Sequence, residues 1–385
     1  MMSGRAIAFI RHTCLTLLCV GYLPLVMSAN QLDSLTLNEA STTHQLNEQA
    51  YQHIKQGHYD LAFKFSEQAR RLAVYQNDNI NLSRALTNIG SSYFYLSQHE
   101  KALQQYQSAY DIARLNHDKE GISRALNNIG AVYVALENFT DAANIFKQCY
   151  DHEDKDELAK VQTLINWVHA SSLGRIYPEF VELTEQLNRD IQTIEDPFTL
   201  AYFHQNMGDV FLFNEQPEKA TTHFNIALDI SKKHEFSTLK ISNLLDLAEV
   251  ALRQGETIEA LNRIDDILSS ENHSNLNKEH FAKAYHLLFR VYKAESQFEQ
   301  ALASLESYNR YAHELRELKV RQLAAIAKVE RQTQQQIESL SFAEGKNLQL
   351  QSELNIYQSY FHISALLALA LLSITIFLAY KLFRR

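Results

Sequence analysis

Apolar residues follow three regimes along the 385-residue chain. Near the N-terminus, Cys14–Val26 is a short apolar run broken only late, at Gly21 and Pro24. From about residue 46 to 312, apolar and small residues recur at helical spacing between polar ones, the pattern of amphipathic helices. Phe361–Tyr380 is then 20 residues without Asp, Glu, Lys or Arg, which as a helix spans about 30 Å, the thickness of a bilayer core. Between the array and that segment lies a polar stretch with a narrow apolar stripe. The pattern predicts a short apolar leader, an array of helices, a long polar helix and one membrane-competent helix, in that order.

The array carries a phrase that it states twice. Residues 83–93 read SRALTNIGSSY and residues 123–133 read SRALNNIGAVY, with eight of eleven positions identical and an offset of 40. A helical phrase at a fixed period of 20–50 residues marks a solenoid, in which one supersecondary unit is stacked many times. Close helix packing needs a small residue where two backbones approach. In the first helix of each unit that position holds Ala50, Gly90, Gly130, Val168, Gly208, Ala248 and Phe289. Twelve residues later the second helix offers Ala62, Ala102, Ala142, Phe180, Ala220, Ala260 and Ala301, and four further on stand Ser66, Tyr106, Phe146, Thr184, Phe224, Ile264 and Leu305. Turns are expected at Gly57-His58, Gln98-His99, Glu137-Asn138, Glu215-Gln216-Pro217 and Gly255-Glu256.

The order Leu86, Gly90, Tyr93, Ala102, Tyr106, repeated as Leu126, Gly130, Tyr133, Ala142, Phe146, resembles the tetratricopeptide repeat (TPR). The resemblance covers about residues 46–312 and implies an all-α superhelical solenoid of about seven helix-turn-helix units, with a period longer than the usual 34. Units four and seven depart from the pattern. Unit four has Phe180 for Ala, carries Trp167 and Pro178, and follows an acidic connector, Asp151–Glu157; unit seven has Phe289 and follows a polar loop, Ser269–Lys278. In TPR arrays the first helices line a concave groove. By register that face holds Arg84, Thr87, Ser91 and Phe94 in unit two, and Arg124, Asn127, Ala131 and Val134 in unit three. Unit five contributes Tyr202, Gln205, Asp209 and Leu212, and unit seven Lys283, His286, Arg290 and Lys293. Arg84 and Arg124 share an offset in adjacent units. They either grip a carboxylate of an extended ligand or pair with an acid of the next repeat. Asn88, Asn128, Asn166 and Asn206 recur two residues before the small position and either fix neighbouring helices or hold a peptide backbone.

Beyond the array, residues 313–358 contain no Pro and one Gly, Gly345, and predict a continuous stalk helix. Leu315/Leu318, Ile326/Val329 and Ile337/Leu340 recur every 11 residues, while a heptad reading also runs through Ile326, Val329, Leu340, Leu350, Leu354 and Tyr357. Both registers leave a stripe that needs a partner: a second copy in a parallel dimeric coiled coil first, a helix folded back onto the array second. The transmembrane helix is placed at 359–381, where eleven Leu, Ile and Phe contribute on the order of −5 kcal/mol to insertion. The basic tail 382–385, preceded by Lys381, is expected on the cytoplasmic side. At the other end Arg5 and Arg11 before an apolar run, with small residues near Ser28 and Ala29, read as a signal peptide over 1–29 followed by a polar leader over 30–45. Cleaved or retained as an anchor, it places the array outside the cytoplasm; cleavage takes the net charge from −9 to −11.

Composition removes several function classes. A chain with 46% hydrophobic and 21% charged residues folds, and 10 Gly with 4 Pro favour long helices. A net charge of −9 without basic-aromatic stretches excludes a nucleic-acid footprint. No phosphate loop, nucleophile elbow, H-E-x-x-H or repeated C-x-x-C occurs, so neither catalysis, a cofactor nor a metal is expected. Cys149 falls at a helix-packing position and reads as a buried structural thiol. His152-Glu153-Asp154 and His280 sit in polar connectors.

The order of segments resembles the extracytoplasmic sensor half of bacterial membrane receptors whose cytoplasmic half is a diguanylate cyclase or histidine kinase, but here the chain runs only five residues past Tyr380. That resemblance implies a bacterial inner-membrane, single-pass protein with its array in the periplasm. It binds a peptide or protein in its groove and passes a signal to a separate partner. The alternatives are an envelope scaffold or a receptor that lost its output domain.

Overall fold

The computed structural model describes residues 42–151, 157–176, 179–269 and 277–383. The signal segment, the leader up to residue 41, and the interior of both polar connectors lie outside the described residues. Among the described residues there are fourteen α-helices and one 3-10 turn, Ile191–Thr193. They pair as α1 (Thr43–Lys55) with α2 (Tyr59–Gln76), α3 (Asn79–Tyr95) with α4 (His99–Leu115), and α5 (Lys119–Ala135) with α6 (Phe139–Tyr150). The series continues with α7 (Glu157–Leu173) and α8 (Glu179–Asp190), α9 (Pro197–Phe213) and α10 (Pro217–Lys233), and α11 (Ser237–Gln254) and α12 (Thr257–Leu268). The last pair is α13 (Asn277–Ala294) with α14 (Phe298–Phe383). Seven helix-turn-helix units therefore stand where the period of 40 puts them.

Local chemistry sets the helix ends. Thr42 caps α1 in a reciprocal capping box with Gln45. Asp78, Asp118 and Asp196 accept from the amides of Asn81, Gly121 and Thr199, so α3, α5 and α9 each start on a carboxylate at the positive end of the helix. Left-handed residues end most helices, at 57, 77, 97, 117 and 137, then 175, then 215, 235 and 255, then 296. Each unit is thus two half-repeats of 20. The second helices of units three, four and six (α6, α8 and α12) are the exception, with 12 residues each against 17 or 18 in α2, α4 and α10.

The small positions do what the repeat requires. Ala50 and Ala248 are fully buried, as are Ala62, Ala102, Ala142, Ala220 and Ala260. At Gly90, Gly130 and Gly208 the facing rings are Tyr106, Phe146 and Phe224, each lying where a Cβ would stand. Unit four fills its position with Val168 and packs Leu183, Leu187 and Trp167 around it, while Phe289 of unit seven stays half-buried. Cys149 is fully buried, its thiol facing the carbonyl of Ser123 at 3.5 Å.

α14 departs furthest from an ordinary repeat helix. Its 86 residues are unbroken and about 130 Å long at 1.5 Å per residue. Its first turns are the second helix of unit seven, with Ala301 and Ser304 buried. Further on, Leu323, Ile326 and Val329 join the core of units one and two, formed by Phe63, Tyr93, Leu96 and Tyr106. Polar contacts flank them: Lys319 Nζ donates to Ser97 Oγ (3.3 Å), Gln322 Nε2 to the Gly57 carbonyl (2.8 Å), Arg71 Nη1 to Gln336 Oε1 (2.8 Å), and Lys101 pairs with Glu330 (3.2 Å). Tyr59 on α2 lies within electrostatic reach of α13: burial, then Tyr95, then Glu279 raise its pKa. Over residues 323–333 the apolar stripe is covered by the array itself, the second of the two expectations for it, rather than by another copy. Past residue 336, Ile337, Leu340, Leu348, Leu350, Leu354 and Tyr357 are exposed. Toward its C-terminus α14 is long and apolar enough to cross a membrane.

Candidate groove on the inner face of the array

Tyr202, Gln205 and Asp209 stand at i, i+3 and i+7 on α9, which places them on one stripe of that helix. The stripe faces α11. Gln205 Nε2 donates to Ser242 Oγ at 2.7 Å and to Asp246 Oδ2 at 3.5 Å, and the Tyr202 hydroxyl donates back to Asn166 Oδ1 of α7 at 2.7 Å. Burial on this narrow inner surface raises the pKa of Tyr202, and Asp209 and Tyr95, three units away, add to the rise. Units two and five therefore lie within electrostatic reach of each other across the coil.

Two carboxylates share this surface. Burial and the neighbouring Asp246 raise the pKa of Asp209 well above the ordinary carboxylate value. Asp246 is itself pushed up to about 7, by burial first and by Glu249 next, against the Gln205 hydrogen bond and the charge of Lys283. Glu249 behaves in the opposite sense. Burial would raise its pKa, but hydrogen bonds from Arg290 and Arg253 outweigh that and keep it ionised. Arg290 grips Glu249 through both terminal nitrogens, the second at 3.2 Å, so α13 is tied to α11 by a forked pair.

These groups open into a cleft of about 670 Å³ between α11, α13 and α14. Asp246 and Glu249 form one wall, Lys283, His286 and Arg290 the second, and Tyr308, Leu315, Arg316 and Lys319 of α14 the third. Lys283 is paired with Glu279 at 3.0 Å, and the Lys283 side chain is 60% exposed. Both charge signs face one space of the size that holds a short segment or a drug-sized molecule.

The other expected groove residues form a separate patch on units one to three. Arg84 reaches Glu120 of the next unit at 3.5 Å, and Arg124 pairs with the same Glu120 one turn away on α5. Arg84 thus pairs with an acid of the next repeat, the second of the two roles set out for it, while Arg124 pairs within its own helix. Arg84 Nε and Arg124 Nη1 nevertheless have no acceptor. Asn88 Nδ2 donates to the Asn47 carbonyl and ties α3 to α1, while Asn206 bonds back to Tyr202 in its own helix. Thr87 is buried and bonds to the Ser83 carbonyl, Ser91 bonds to Thr87 and the Tyr106 hydroxyl, and Asn127 bonds to Thr163 Oγ1 across to α7. Asn128 is half-buried on the same helix. The arrangement brings Tyr202, Gln205, Asp209 and Arg290 into one region and leaves Arg84 and Arg124 together in another.

Asp246 and Glu249 were not among the residues singled out from the sequence, yet the signal is there. Asp246 is the next rung of the series Asn88, Asn128, Asn166, Asn206, two residues before the small Ala248, and Glu249 holds the offset of Asp209 and Arg290. The third wall has no such signal, because nothing in a repeat register says where a helix goes after the last repeat. Among the described residues no group of three or more His, Cys, Asp or Glu is placed to hold a metal ion.

Comparison with known proteins agrees on the fold. Residues 40–115 match the family described as Tetratricopeptide repeat. No curated protein matches the chain. A solved Rap protein complexed with competence and sporulation factor is similar over 77% of this chain and 80% of its own, at 14% identity and a TM-score of 0.54. The Rap conjugation gene regulator of the plasmid pLS20, in complex with a Phr peptide, is similar over 74% of this chain and 76% of its own, at 14% identity and a TM-score of 0.51. A tetratricopeptide repeat protein from Parabacteroides merdae covers 74% of this chain and 98% of its own, at 15% identity and a TM-score of 0.46.

Proposed function

We propose that this tetratricopeptide repeat protein is a membrane-anchored interaction module that holds a peptide or protein segment on the inner face of its array, outside the cytoplasm, and serves as a sensor or adaptor for a separate membrane partner. The cleft between α11, α13 and α14 carries the reading. Its walls present a carboxylate near its titration point (Asp246), an exposed ammonium (Lys283) and a guanidinium (Arg316) toward one space. A peptide matches such a surface because it offers backbone donors and acceptors together with charges of either sign. Solved proteins of similar fold hold a competence and sporulation factor and a Phr peptide, which supports a peptide as the ligand class. The partly exposed side chains of Arg84 and Arg124, two cations on one patch, support a second contact for a longer ligand.

The anchoring part rests on the uncharged helix Phe361–Tyr380 followed by Lys381, Arg384 and Arg385, a basic flank that favours the cytoplasmic side. The exposed stripe at Leu340, Leu350 and Leu354 suits a second copy along the stalk.

The groove reading is tested by panning a random linear peptide library on the detergent-solubilised full chain. Peptides enriched on the wild type are expected to lose at least tenfold in affinity for the Lys283→Glu/Arg316→Glu variant, with helicity by circular dichroism unchanged. Arg84→Glu/Arg124→Glu is expected to weaken only the longer peptides. Equal binding to wild type and to the cleft variant, or no enrichment on the wild type, sinks the proposal.

A further inference from the structure

The segment of α14 just beyond the cleft rests on the opposite end of the array. Gln322, 5% exposed, donates to the backbone of the α1–α2 turn, and Ile326, 1% exposed, is inserted beside Phe63 and Tyr93. One turn on, Glu330 accepts from the Tyr93 hydroxyl and from Lys101. These positions are i, i+4 and i+8, a single narrow stripe. The contact therefore joins units one and two to the helix of unit seven, which is remote in sequence, through one face of one helix.

We propose that residues 319–336 of α14 are a reversible clasp that closes the superhelix. Docked, the clasp holds the third wall of the cleft in place. Released, it frees that wall and the membrane-proximal part of the same unbroken helix together. Three observations point to release without unfolding. The stripe buries Ile326 fully and Leu323 and Val329 only in part, far less apolar surface than the core that runs through units five to seven. The Lys101–Glu330 pair is 50% and 41% exposed, so it adds little to the docked state. Repeat units rest on their neighbours alone, so losing the clasp leaves every other interface intact.

Ligand plays no part in this device, so its test stands or falls separately from the groove reading. Hydrogen–deuterium exchange is followed by mass spectrometry on the detergent-solubilised full chain. An undocked polar helix of this length is marginal in water, so release is read as exchange. Amides of residues 320–336 are expected to exchange about 100-fold faster than those of α9–α11, the mark of sub-global opening. Ile326→Ala is expected to raise exchange at 320–336 at least tenfold, together with the turns at 55–59 and 95–99, and to leave α9–α11 unchanged. Glu330→Lys, which removes the acceptor of the Tyr93 hydroxyl and sets a like charge opposite Lys101, acts in the same direction. Exchange of 320–336 at the rate of α9–α11 would falsify the clasp, as would an Ile326→Ala effect spread evenly over the array.

Discussion

Three glycines and three rings, each pair 16 residues apart, set how closely the helices of a unit approach. A Cβ on Gly90 would lie 2.7 Å from the Tyr106 ring, one on Gly130 2.5 Å from Phe146, and one on Gly208 2.4 Å from Phe224. Where the first position is larger, at Ala50, Val168, Ala248 or Phe289, the second is Ser66, Thr184, Ile264 or Leu305, and none of these is aromatic. Volume is traded across the pair. Gly130→Ala therefore sets two effects against each other: alanine improves helix propensity by about 1 kcal/mol, while overpacking against a buried ring costs about 1–3 kcal/mol. Phe146 is 2% exposed and has nowhere to go, so a net loss of about 1–2 kcal/mol is expected, seen as a lower midpoint in chemical denaturation. An unchanged or higher midpoint contradicts the close-approach account. The positions were legible in the sequence because small residues recur every 40; the reciprocity with the rings needed distances. Arg84 and Arg124 show the limit differently. Their shared offset was visible, but not that Glu120 stands between them, since that depends on the rotation of α3 against α5.

At the scale of helices, the half-period of 20 escapes the sequence for a physical reason. A left-handed residue ends a helix most cheaply when it is glycine, and glycine at Gly57 and Gly255 was read as a turn. At eight other ends the same conformation is held by Asn77, Ser97, His117, Glu137, Arg175, Glu215, Glu235 and Ser296; the turns within units at 97, 137 and 215 were expected, whereas those between units at 77, 117 and 235 were not. These sites store strain, because an L residue in this region is worse than glycine by about 1–2 kcal/mol. Glu215, at φ 57° between α9 and α10, is the clearest case. Glu215→Gly is expected to stabilise the array by up to about 1 kcal/mol, the larger unfolded-state entropy of glycine offsetting part of the gain. A rise in melting temperature checks it, and a fall would mean that the Glu215 side chain holds the turn by other contacts. The same scale explains which units were foreseen as irregular. Phe180 and Phe289 announced units four and seven, while the shortening of α6 and α12 showed only as polar connectors without a register.

For the molecule as a whole, the solenoid, the seven units and the length of α14 were readable from periodicity, whereas the return of α14 onto units one and two was not. A stripe of Ile326 and Val329 asks for a partner without saying which. That closure brings ionisable groups into a confined inner surface, and they give the array opposing responses to pH. Asp246, raised to about 7 from 3.8, binds more protons folded than unfolded, so its contribution to stability is complete below 3.8 and is lost as pH rises through 7. His169 and His204, both lowered to about 4 from 6.5 chiefly by burial, work the other way: their contribution is complete above 6.5 and is lost as pH falls toward 4. Between pH 4 and 6.5 the single carboxylate offsets about half of what the two imidazoles lose, so the wild type is expected to lose stability only gently as pH falls. Asp246→Asn keeps the shape and an acceptor for Gln205 but removes the titration. Its melting temperature should exceed that of the wild type most at pH 8, where Asp246 is a confined anion beside Asp209, and the gap should narrow steadily as pH falls through 7 and close near pH 4, where Asp246 is protonated folded and unfolded alike. Over that range the variant should lose stability more steeply than the wild type, because nothing at position 246 offsets the histidines. Thermal melts of both proteins from pH 4 to 8 decide the matter. A difference between them that does not vary with pH would show that Asp246 is ionised throughout, and that the inner face is open enough to water to leave its carboxylates unshifted.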